Sequence, residues 1–209
     1  DGRWFKKIPQ LEGINAPDSW LLNVSKFKAH GMGLTLCCKN LQGIVARPFT
    51  SFCHPAGAGL AVSPEYLHED AVEKMHASYE RHVRDRQIPR WDRPGPQGGV
   101  WQEGWAARTL DHLSVTRPGL NVIEGIYGRD GDAGNNGPHA PLAKAGSLPG
   151  VTARDVMSNI IIFGKDIFRT DIIGFWLAGH EPGNFGLFHC AIDRGVSTAL
   201  DPRKIPVYI

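Results

Sequence analysis

No run of about 18 apolar residues occurs in this 209-residue chain, so nothing in it reads as a membrane-spanning helix. Cysteine is scarce. Cys37, Cys38, Cys53 and Cys190 do not make a disulfide framework. Without a Cys-x-x-Cys pair, neither a zinc ribbon nor a ferredoxin-type cluster can be assembled from this chain. If residues 37–38 lie in a strand, the two neighbours face opposite ways and make poor joint ligands, so ordinary partly buried thiols are expected. An excess of one charge is also missing: a net charge of +2 gives no whole-protein argument for nucleic acid, and any basic patch must be local. The chain contains no Gly-x-Ser-x-Gly, Walker A, His-Glu-x-x-His or Gly-x-Gly-x-x-Gly motif, no internal repeat and no low-complexity tract. What remains is an ordinary globular composition, 42% apolar and 21% charged, in a chain long enough for one well-buried domain.

Strands and helices alternate along it. Trp20–Val24 is a short apolar strand. Ser63 and Pro64 signal a helix start, Ser at the cap and Pro at the first helical position. Leu67, Ala71, Met75, Tyr79 and Val83 then recur at intervals of four, predicting an amphipathic helix to about Arg86. Its histidines, His68, His76 and His82, are expected at the border of that stripe or in water. Residues 87–104 are rich in Pro and Gly and carry Trp91 and Trp101, with Trp105 at their end. They read as a long loop, either a lid or interface segment or a loop that its tryptophans pin to the body. A short helix is predicted over Glu103–Leu113. Strands are predicted at Asn121–Tyr127 and Asn159–Phe163, the latter suited by its continuous apolar run to a sheet buried on both faces. Helices follow at Ile167–Ala178 and Phe185–Asp193, the last ended by Gly195. The pattern favours a single α/β domain over 1–209: a layered, largely parallel sheet with flanking helices.

Polar groups gather in two places. After the first strand, Lys26, Lys28 and His30 alternate onto one face of an extended segment, opposite Phe27 and Ala29, and Lys39-Asn40 return soon after. Two ammoniums and an imidazole on one face suit a phosphate, a carboxylate or another anion; a solvated strand end is the plain alternative. His30 and His54 could also ligate a metal through neutral imidazole. The second place is Gly128–Pro138, whose glycines, Gly128 and Gly131 among them, let backbone approach a ligand closely or form an anion-holding nest. Asp130 and Asp132 resemble the opening of a calcium loop, but Pro141 stands where the bidentate Glu is required, which rejects an EF-hand. A glycine-rich turn is the plain alternative here, set against a position at a strand's carboxyl end where open α/β sheets bind ligands. Asp166 is explained as a helix cap. Asp171, one turn further in, is open to a buried hydrogen-bonding or catalytic role. Glu124 interrupts an apolar strand and either faces solvent or points into a site.

Asn23–His30, the run Leu34-Thr-Leu-Cys-Cys-Lys-Asn-Leu-Gln-Gly43, His54, Asn121–Asp132, Gly137-Pro138, and Asp166 with Asp171 leading into Gly179 resemble, in order, the bacterial and archaeal family called domain of unknown function 362. The resemblance covers most of residues 20–195. It implies an α/β fold and an association with iron–sulfur chemistry, although this chain has no cysteines to ligate a cluster. Members usually carry a region ahead of the Lys-x-Lys-x-His segment. The chain is therefore expected to be a fragment, lacking an N-terminal part and a C-terminal tail beyond the strand-like Lys204–Ile209. Residues 1–10 or 205–209 would then pair with another protein chain that completes the sheet. Bacterial membership leans toward an exported or periplasmic protein.

The resulting expectation is an enzyme of undefined reaction, redox among the options, holding an anionic ligand or a metal-bound cofactor. Lys28, His30 and Asp171 would be catalytic; Lys39, Asn40, Gly128 and Gly131 would hold the cofactor; His54, Asp130 and Asp132 would bind a divalent metal. The alternative is a non-catalytic binding or assembly module that docks a partner through its Trp-rich loop.

Overall fold

A computed structural model describes residues 2–30, 33–46, 66–87, 99–130 and 154–209. Four strands, β1 (Leu22–His30), β2 (Gly33–Thr35), β3 (Leu120–Asp130) and β4 (Arg154–Gly164), form one sheet in the order β2-β1-β3-β4. The three predicted strand segments are neighbours in it. The sheet is mixed rather than largely parallel, because among the described strands only β1 and β3 run parallel. The hairpin explains part of this: two residues separate β1 from β2, and a parallel return needs a crossover of a dozen or more. The path from β1 to β3 supplies such a crossover through the helices α1 (Cys37–Asn40), α2 (Ala71–Arg86) and α3 (Gly99–Val115). Two more, α4 (Ile167–Leu177) and α5 (Gly186–Asp193), follow the sheet.

One face of the sheet is covered. Asn23 and Ser25 of β1 and Asn121 and Ile123 of β3 are buried there, beneath α1 and α4. The two asparagines fill their polar capacity across the strands. Asn23 donates its amide to Cys37 O and to Asn121 Oδ1, each at 3.0 Å, and accepts from Asn40 at 2.9 Å. Asn121 in turn donates to the carbonyls of Gly164 and Lys165. The opposite face leaves Leu22, Val24, Ile161 and Phe163 exposed, Phe163 by 71%. The apolar run of β4 is therefore not buried on both faces. Antiparallel sheets commonly cover one face alone, and β4 is the antiparallel edge.

The core joins Leu34, Leu36, Leu41, Trp105, Leu110, Ile123, Phe168, Ile172, Phe175 and Phe188. Trp105 lies in it at 4% exposure, in a helix that begins at Gly99, so this tryptophan does not serve a loop surface. Trp91 and the side chain of Trp101 lie outside the described residues, as does the predicted Ser63 cap. A second cluster packs Trp4, Phe5, Val45 and Met75. The amino-terminal segment is held by its own chain. Phe5 bridges Leu67, Gln10 bridges Val45, and the backbone N–H groups of Arg3, Trp4 and Phe5 all donate to the Asp111 carboxylate at 2.7–2.9 Å. At the other end, Lys204 closes a 3₁₀ turn from Pro202, and residues 205–209 form no strand. Among the described residues no helix is long and apolar enough to cross a membrane.

Candidate functional site

The carboxyl ends of the parallel pair bring several of the predicted residues together. Lys28 pairs with Thr35 of β2 on one side and Arg129 of β3 on the other. Between Lys26 and Lys28 the register jumps from Glu124 to Arg129, so β3 bulges against two residues of β1. The bulge sets an ammonium and a guanidinium beside one another. Partial burial, and then the Arg129 charge, lower the Lys28 pKa from its ordinary value. Arg129 Nε donates to Asp155 Oδ1 at 2.9 Å, and Asp130 pairs in register with Arg154. His30 ends β1, half-buried, opposite Gly33.

Other predicted residues go elsewhere. The Asn40 amide bonds Asn23 Oδ1 and the Val24 carbonyl, at the start of β1. From Val24 to His30 the strand advances roughly 20 Å, so Asn40 does not share a small ligand with His30. The chain doubles back along β1 after β2, which is why residues close in sequence separate in space. Gly128 belongs to β3 rather than to a loop, and a Cβ there would meet Phe27 Cδ1 at 3.1 Å; its smallness serves strand packing. Glu124, paired with Lys26 at 2.6 Å, is held below the usual carboxylate range by that lysine. Gly131, His54 and Asp132 lie outside the described residues.

Asp171 is fully buried in α4 and accepts from the backbone N–H of Cys37 at 2.8 Å and of Cys38 at 2.9 Å. It caps the first turn of α1 from another helix, satisfying donors that a helix start leaves orphaned. Burial raises its pKa to about 6, against those hydrogen bonds. Cys37 and Cys38 sit in that helical turn, not in a strand, and both thiols are buried. Asp166 caps α4 as expected, accepting from Phe168 N and Arg169 N.

A second polar cluster was not anticipated. His82 is 1% exposed rather than at a stripe border. Spacing of strictly four residues drifts about 40° per step around a helix, so Val83 lies about 80° from Met75. His82, seven residues from Met75, lies within about 20° of it and enters the interior instead. There its Nδ1 faces Glu103 Oε2 of α3 at 2.8 Å and its Nε2 faces Asp193 Oδ2 of α5 at 2.7 Å. Ser78, one turn before His82, donates to Glu103 Oε1, and the Cys190 thiol approaches the same oxygen at 3.7 Å. A neutral imidazole has a single N–H, so two carboxylates are both satisfied by the protonated ring. Burial lowers the His82 pKa, but the Glu103 hydrogen bond and charge, with those of Asp193, leave it raised overall. Burial, and then Glu103, lift the Cys190 thiol well above its ordinary value. The donor set of His82, Glu103 and Cys190 is one that could hold a metal ion, with ligand atoms within 4.8 Å of one another.

A family model described as Domain of unknown function (DUF362) matches residues 2–175. The chain belongs to that family. Neither a curated protein nor a solved structure matches it. In this DUF362 chain, Lys28, Arg129, His82 and Glu103 fall within the matched residues, while Cys190 and Asp193 lie beyond them. Sequence reasoning missed the second cluster because its members come from three helices. The faint signals were local: Ser78 and His82 four apart, Cys190 and Asp193 three apart, each pair on one helical face.

Proposed function

We propose that this DUF362 chain is the ligand-holding part of an enzyme and binds a small anion, a carboxylate or a phosphoryl group, at the carboxyl ends of β1 and β3. The observation carrying this reading is the register pairing of Lys28 with Arg129 across the parallel strands. Like charges set side by side repel, and an anion between them turns that repulsion into two charge-assisted contacts. The carboxyl end of parallel strands is where open α/β sheets place their ligands. His30, two residues beyond Lys28, supplies a group able to gain or lose a proton near neutrality. Asp130, next to Arg129, orients a cation or accepts from the ligand. A redox step in such a site takes its electrons from a bound cofactor or a separate chain.

Calorimetry with inorganic phosphate, pyrophosphate and citrate tests the reading. The wild type should bind at least one of them, more weakly as salt rises. Lys28→Ala and Arg129→Ala should each weaken binding by roughly tenfold or more, the worth of one hydrogen bond to a charged group. Unchanged affinity in both variants, with the fold intact by circular dichroism, refutes the site.

A further inference from the structure

We infer that His82, Glu103 and Cys190 form a binding site for one divalent ion of the zinc type, with Asp193 holding the imidazole from behind. Imidazole nitrogen, carboxylate oxygen and thiolate sulfur are the three ligand types that zinc takes in proteins, and three protein ligands with one open position is the arrangement of its catalytic sites. The three come from α2, α3 and α5, of which α2 and α5 each pack on α3, so the site stands on helices rather than loops. Asp193 contacts Nε2 at 2.7 Å, the nitrogen remote from Glu103. That is the role of an outer carboxylate, which fixes the tautomer and leaves Nδ1 aimed at the ion.

Space for a fourth ligand adjoins two of the three, Glu103 and Cys190, while His82 does not line it. A cavity of about 20 Å³ is bordered by Ser78, Glu103 and Cys190, together with Arg3, Lys74 and Arg194. That volume holds about one water molecule, with polar partners on its wall. Nδ1 and Oε2 stand 2.8 Å apart, whereas two ligands of a tetrahedral zinc are about 3.3 Å apart, so the ring and carboxylate part by about half an ångström as the ion enters. The proton on Nδ1 and the thiol proton of Cys190 pass to solvent, and the ion's two charges balance Glu103 and the thiolate. The ion and its three ligands are then neutral together, as the interior requires, and the remaining negative charge sits on Asp193, which keeps some access to water.

The site is independent of the one at the sheet end, and the sulfur ligand makes it separately testable. Chelator-treated protein is titrated with Co²⁺ and with Zn²⁺. One ion per chain should bind, Co²⁺ should give a thiolate-to-cobalt charge-transfer absorption, and Cys190→Ala should abolish that absorption. Asp193→Asn, which leaves all three ligands in place, should weaken Zn²⁺ affinity about 10- to 100-fold. X-ray absorption of the Zn²⁺-loaded wild type needs no variant and should show one sulfur at about 2.3 Å. A shell of nitrogen and oxygen alone, or no uptake by the wild type, overturns the assignment.

Discussion

The two polar clusters of this chain use the same chemistry under opposite conditions. At the sheet end, Arg129 and Asp155 face each other at 2.9 Å while both side chains keep access to water. Between the helices, His82 meets Glu103 at 2.8 Å with both side chains almost wholly buried. Water screens the first pair, so it contributes little and either partner can turn to a ligand. The second pair has no such recourse, and removing one partner strands a charge in the interior. One cluster is suited to exchange ligands, the other to hold its groups in place.

The sharpest way to break that contrast is to delete one charge from each. His82→Ala should destabilise the protein by about 3–5 kcal/mol, leaving Glu103 and Asp193 facing one another's side of a void. Arg129→Ala should cost less than about 1 kcal/mol. Urea unfolding of both decides it; equal costs would end the distinction.

Acid provides the next separation. His112 of α3 is 3% exposed, its Nδ1 has no hydrogen-bond partner among the described residues, and burial followed by the Arg108 charge depresses its pKa to about 3. A depressed pKa contributes stability that is present above the unfolded value of 6.5 and lost as pH falls toward the folded one. Between pH 6.5 and 4 this group alone should remove about 3 kcal/mol. His112→Gln should flatten that slope in a pH series of melts, and an unchanged slope would place the acid sensitivity elsewhere.

Asp171 should show the opposite sign. Its folded pKa, raised to about 6, means that its contribution is complete below the unfolded value of 3.8 and declines as pH rises through about 6. Asp171→Asn should remove that decline. At neutral pH the variant should still be less stable by about 1–3 kcal/mol, because one of the two α1 N–H donors then faces an amide N–H₂. A gain in stability at neutral pH would mean that desolvation of the carboxylate outweighs its capping.

The smallest effect belongs to Lys26 and Glu124, paired at 2.6 Å with both side chains a third or more exposed. Lys26→Met should change stability by under about 1 kcal/mol and should leave anion binding intact, in contrast to Lys28→Ala. Loss of binding in Lys26→Met would extend the cationic surface down the strand.

Much of the fold was legible along the chain because it is written in local patterns. The apolar runs at 121–127 and 159–163 lie within β3 and β4, Asp166 caps α4, and α5 ends ahead of Gly195, which takes φ +68°. Strand direction was not legible, since β4 could add to either edge in either sense until the sheet was assembled. In the candidate sites, the pairing of β1 with β3 gave Lys28 its neighbour Arg129, a residue no local pattern singled out. Asn40 looked close to His30 in sequence and lies at the far end of the strand because the chain reverses after β2.

The sequence by itself determined which segments become strand or helix, though not where each starts (α2 begins at Ala71, and Leu67, read as part of it, bridges Phe5), which family the chain resembles and which residues carry charge near the first strand. Those properties depend on neighbours a few residues apart, through backbone hydrogen bonds, caps and side-chain period. Tertiary structure alone decided which charges meet. Whether His82 touches water or two carboxylates depends on how α2, α3 and α5 pack, and a lone histidine on a helix carries no record of the two helices that will enclose it.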